Sequence, residues 1–138
     1  MVAFAVALET PVGVDVERMN PDVETVSLVQ SFFAVQYTDL LNAVPETEKQ
    51  RAFFQLWTSE EAYVKGFGLG LSHPSKSFFV QSLDRKSRIC DSEIDAPLDW
   101  TVQNCQPTPE HCVSFAINCP KGRNCDATLL ELPFVMIG

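Results

Sequence analysis

A proline-opened, glycine-closed stretch from Pro45 to Gly70 limits the fold of this chain more than any other feature. Pro45-Glu46-Thr47-Glu48 puts a fixed-φ residue and acids where a helix begins. Phe53, Phe54, Trp57, Glu61, Val64 and Lys65 follow along it, and Gly66, Gly68 and Gly70 end it. Strand-like segments lie on either side. The combination predicts one α+β domain over residues 1–138: an antiparallel sheet with two or three helices packed on one face.

Before the long helix, Val2, Phe4, Val6 and Leu8 alternate with small alanines, as in a strand. Thr10-Pro11 is turn chemistry, and Val12–Glu17 alternates again, so the two segments are expected to form a hairpin. Asn20-Pro21-Asp22 reads as a helix start, with Val26, Val29, Phe32 and Phe33 at helical spacing behind it. A short helix around Tyr37–Leu41 is expected next. Beyond Pro74 the candidates are strands at Ser77–Leu83, Leu98–Cys105, Cys112–Cys119 and, as a proline-interrupted edge, Thr128–Met136. Asp84–Ser92 is polar and reads as a turn, with room for a short strand.

Composition excludes some function classes. The net charge of −8 argues against sequence-independent binding to nucleic acid. No apolar run is long enough to span a membrane, and no basic stretch precedes Val2–Leu8, which makes it a poor signal peptide. A soluble, cytoplasmic protein is expected. The odd set of five cysteines, without close Cys pairs suited to zinc, is expected to be buried free thiols. Acidity is concentrated early: residues 1–64 hold three bases and ten acids. Such a half is either a solvated surface or the place for a divalent cation.

Three motifs carry chemistry. In Gly13-Val14-Asp15-Val16-Glu17, positions two apart on a strand put Asp15 and Glu17 side by side. Taken alone, that alternation is the wet face of a strand. In the long helix, Trp57, Glu61 and Lys65 stand four apart and form a stripe. An i,i+4 Glu–Lys pair is common on helix surfaces, but this stripe begins at a Trp on the core boundary. Then Gly66-Phe67-Gly68-Leu69-Gly70-Leu71 gives backbone that can approach a phosphate closely, or simply a helix cap. It neither follows a strand nor opens a helix, so it is not a nucleotide-binding P-loop.

In this order the three motifs resemble the Sfp-type 4′-phosphopantetheinyl transferases. That family carries a Gly-hydrophobic-Asp-hydrophobic-Glu strand and, about 45 residues on, a Trp-Ser/Thr-x-Lys-Glu-x-x-x-Lys helix followed by Gly-x-Gly-Leu. Here Asp15 precedes Glu61 by 46 positions. The resemblance implies that Asp15, Glu17 and Glu61 bind Mg²⁺, and that Lys65, Gly68 and Gly70 contact coenzyme A. Glu61 and Lys65 would be catalytic, with Glu61 or a metal-bound water taking the proton of the carrier serine. The partner implied is an acyl or peptidyl carrier protein, met near Phe32 and Phe33.

Two features depart from the family. Its enzymes consist of two similar halves, so this chain resembles a C-terminal half, either a fragment or a self-associating form. A non-catalytic carrier-binding domain is the alternative. Glu60 also stands where the family has Lys. Aimed at the site, it would oppose a phosphate-rich ligand; turned to solvent, it would matter little.

Overall fold

A computed structural model describes residues 1–22, 35–68, 77–91, 100–120, 123 and 125–130. Five strands form one antiparallel sheet: β1 Val12–Arg18, β2 Phe78–Val80, β3 Lys86–Asp91, β4 Trp100–Thr108 and β5 His111–Asn118. Their spatial order is β1-β5-β4-β3-β2. A short helix, α1 (Gln36–Asn42), and a 3₁₀ turn at Glu46–Glu48 lead into the long helix α2 (Lys49–Phe67). The α+β class is as the sequence predicted.

α2 lies against the strands because the contact face of β5 is small. Cys112, Ser114 and Ala116 are buried there, opposite Glu17, Asp15 and Gly13 of β1. The helix answers with Thr58, Ser59 and Ala62, all fully buried. Larger side chains fill the β2–β3 side, where Tyr63 packs edge-on to Trp100 at 5.3 Å and tilted against Phe78 at 4.9 Å. Phe53, Phe54 and Leu56 complete this core with Tyr37 and Leu41 of α1. α2 stops at Gly68, whose φ of 83° is left-handed and whose N–H donates to the Val64 carbonyl.

Several expectations are corrected. Residues 1–8 contain no strand, and Phe4 and Val6 stand 83% and 94% exposed. β1 finds its partner in β5 instead of a hairpin mate, so the alternation in Val2–Leu8 lacks the ladder a strand needs. In the polar segment Asp84–Ser92 the short strand prevails over the turn: β3 pairs with β4 through Lys86–Arg88 and with β2 through Ile89–Asp91. β4 runs on past Cys105 through an irregularity to Thr108, which confines the turn to Pro109-Glu110. Residues 128–130 are not a strand, and the rest of the expected edge lies outside the described residues. Cys119 and Cys125 form a disulfide, with the Arg123 N–H donating to the Pro120 carbonyl between them, whereas Cys90, Cys105 and Cys112 are free. The expected helix through Val26–Phe33 also lies outside the described residues.

Candidate active site

The acidic face of β1 points inward. Gly13 and Asp15 are buried and Glu17 half-buried beneath α2, while Val12, Val14 and Val16 turn to the other side of the sheet. The strand can lie this close because Gly13 has no side chain: a Cβ there would stand 2.0 Å from the Ala62 carbonyl oxygen and 2.4 Å from the Gly66 nitrogen. The glycine of the sequence motif is thus the contact that sets two carboxylates against the helix.

α2 supplies the rest. The Lys65 ammonium donates to Asp15 Oδ1 at 2.5 Å. Asp15 is 7% exposed, and its Oδ2 is buried without a partner. Burial and then the Asp15 charge push the Glu17 carboxyl above its ordinary range. Lys65 and a hydrogen bond from Trp57 draw it back, and Glu61 pushes it up again. Asp15, Glu17, Glu61 and Lys65 therefore share one electrostatic neighbourhood, with three carboxylates against one ammonium. Trp57, expected only as the start of the stripe, holds Glu17 directly.

The donor set suits a hard cation: oxygen only, excess negative charge, and one orphaned carboxylate oxygen. Among the described residues, however, no group of three or more His, Cys, Asp or Glu side chains is arranged to hold a metal ion. Lys65 rather than a second carboxylate meets Asp15. Gly68 is open, with nothing within 4 Å of where a Cβ would be, but its N–H is taken up by the helix cap. Gly70, Phe32 and Phe33 lie outside the described residues.

Glu60 takes neither orientation considered from sequence. It points into the core, 7% exposed, hydrogen-bonded to Tyr37, whose hydroxyl accepts from the Val80 N–H at 2.7 Å. Desolvation pushes its carboxyl up to about 8. The neutral form that burial favours sets no full charge against the neighbouring Glu61.

A polar network that sequence reasoning missed pins helix to sheet. Thr58 Oγ1 lies 2.6 Å from Ser114 Oγ, Ser114 Oγ donates to Asn104 Oδ1 at 2.6 Å, and Ser59 Oγ is 3.0 Å from the same oxygen. Thr58, the residue after Trp57 in the motif, thus serves to register α2 on β4 and β5. The only sequence signal was Asn104 and Ser114, two polar residues at positions that strand alternation marks as inward.

Comparison with known proteins gives the fold and the family. The fold is that of the holo-(acyl-carrier-protein) synthases: the Thermotoga maritima AcpS structure superposes with a TM-score of 0.58 at 16% identity, covering 78% of this chain and 61% of that one. A Bacillus anthracis synthase solved in complex with CoA (3′,5′-ADP) gives 0.59 at 15% identity, covering 78% and 93%. The sequence profile of the 4′-phosphopantetheinyl transferase superfamily matches residues 11–116, and the chain belongs to that superfamily. Relatives include the 4′-phosphopantetheinyl transferase HetI of Nostoc sp. PCC 7120, 37% identical over 68 residues, covering 49% of this chain and 29% of HetI. Sfp of Bacillus subtilis strain 168 is 36% identical over 72 residues, covering 51% and 31%. The chain thus aligns with about a third of the length of these relatives.

Proposed function

We propose that this chain carries the catalytic centre of a 4′-phosphopantetheinyl transferase, moving phosphopantetheine from coenzyme A to a serine of an acyl or peptidyl carrier protein in the cytoplasm. The observation that carries the proposal is the seam of β1 and α2, where Asp15 and Glu17 meet Lys65 within the field of Glu61. Asp15, Glu17 and Glu61 would hold Mg²⁺, which when bound supplies positive charge to the pyrophosphate and to the departing 3′,5′-ADP.

The chain's own residues would do the rest. Lys65 is half-exposed, so its ammonium can swing from Asp15 to a pyrophosphate oxygen. The carrier serine oxygen attacks the β-phosphorus, the bond from that phosphorus to the bridging oxygen breaks, and 3′,5′-ADP leaves with the electron pair. The Glu61 carboxylate accepts the serine proton. Trp57, by holding Glu17, keeps the carboxylate face in place.

A second reading, a carrier-binding domain without turnover, is favoured by the Lys65–Asp15 pairing, which puts an ammonium where a cation would meet the carboxylate. Loading of an apo carrier protein, followed by mass spectrometry with and without Mg²⁺, tests the first reading. The chain is assayed alone and with the N-terminal part of Bacillus subtilis Sfp. Mg²⁺-dependent loading that disappears in Asp15→Ala and Glu61→Ala is expected. Carrier binding with neither loading nor coenzyme A affinity in both assays would leave the second reading.

A further inference from the structure

We propose that a basic cavity at the other end of α2 binds a small molecule with a phosphate or carboxylate head and a short apolar body. The cavity measures about 350 Å³ and is walled by the first turns of α2, the β2–β3 turn and the β4–β5 end of the sheet. Its volume falls in the ligand-pocket range of about 300–1,000 Å³. Arg51 stands ten residues before Glu61, about 15 Å along the helix axis at 1.5 Å per residue, so the arginine end lies away from the carboxylate seam, while Cys112, opposite Glu17, marks where the two adjoin.

Charge is the first argument. In a chain of net charge −8, this cavity is lined by Arg51 and Arg85 and by no carboxylate. Among the described residues neither guanidinium has an ion-pair partner, so both forks are free to meet an oxyanion. The field of Arg51 reaches Cys112, opposed there by the weaker field of Asp15, and that of Arg85 reaches Cys105; both cysteines line the cavity. Burial pushes both thiols up, which keeps them neutral beside an incoming anion.

Fixed walls are the second argument. Asn104 lines the cavity and is 8% exposed, and its Oδ1 is held by Ser59 and Ser114. The walls are tied: Gln55 Nε2 donates to the Leu83 carbonyl at 2.8 Å, and the Asn104 N–H to the Arg85 carbonyl at 2.8 Å. Met19 and Leu83 supply the apolar lining for the body of the ligand.

The test titrates the whole chain with inorganic phosphate and, separately, with hexanoate, following the Asn104 side-chain amide by NMR. A saturable shift with either probe is expected, and the stronger probe identifies the head group. Arg51→Ala and Arg85→Ala should each weaken binding at least about tenfold, Arg85→Lys less, and Arg88→Ala, outside the cavity, not at all. Both arginines are exposed, so these variants are expected to fold. No shift at Asn104 with either probe up to tens of millimolar, or an equal response in the Arg51→Ala/Arg85→Ala double variant, would overturn the proposal.

Discussion

Gly13 of β1 and Gly66 of α2 are packed backbone on backbone: a Cβ on Gly66 would come within 2.8 Å of the Gly13 nitrogen, and one on Gly13 within 2.4 Å of the Gly66 nitrogen. The obstacle on each side is main chain, which cannot rotate away. Gly13→Ala must therefore push the strand off the helix, at the upper end of the overpacking range or beyond, about 3 kcal/mol. Urea unfolding should show a clearly lower midpoint. An unchanged midpoint would mean that the seam tolerates separation.

The Lys65–Asp15 pair joins a half-exposed ammonium to a buried carboxylate. Lys65→Met keeps the apolar stem and strands the charge, so the melting temperature at neutral pH should fall. Adding Asp15→Asn should return part of the loss, since the stranded charge is then gone. Millimolar Mg²⁺ should also raise the melting temperature of Lys65→Met, and leave that of the double variant nearly unmoved.

Glu60 gives the pH dependence. Its carboxyl is raised from 4.5 to about 8 in the folded chain. Between those values the folded state keeps a proton that the unfolded state releases. Stability is thus greatest below the lower value and declines as pH rises towards the upper one, by up to about 1.4 kcal/mol per unit. Glu60→Gln cannot release the proton and should flatten this decline. Parallel thermal melts from pH 5 to 8 read the difference; equal slopes in both proteins would contradict the burial of Glu60.

Ser114 sits between Thr58 and Asn104. Ser114→Ala should cost about 1–3 kcal/mol, because it leaves buried polar atoms short of a partner. Combined with Ser59→Ala, the loss should differ from the sum of the single losses, since both hydroxyls meet Asn104 Oδ1. Denaturant titration of the four proteins measures the coupling.

The sequence made the long helix and β1 legible because their signals are local: Pro45 before the helix, Gly68 at its end, and valine at every second position from Val12. It also put Asp15, Glu17, Trp57, Glu61 and Lys65 in one motif order. Which face of β1 turns inward was not legible, since Val14 and Asp15 are equally consistent with either side until Ala62 and Gly66 are known to lie over Gly13. Lys86–Asp91 read as a turn or a short strand, because polar residues can pair by backbone alone where partner strands are in place. Val2–Leu8 misled in the opposite sense, alternating without a partner strand. Asn104, Ser114 and the Glu60–Tyr37 contact depend on pairings between distant segments, which no local pattern encodes.

The central claim is that three carboxylates from β1 and α2 can share one divalent ion. Mn²⁺, a hard oxygen-seeking substitute for Mg²⁺, broadens NMR signals near its binding site. Titrated in trace amounts, it should broaden the amides of residues 13–17 and 61–65 first, and much less so in Glu61→Ala and in Asp15→Asn. Uniform broadening across the sheet, or local broadening indifferent to both substitutions, would contradict the account.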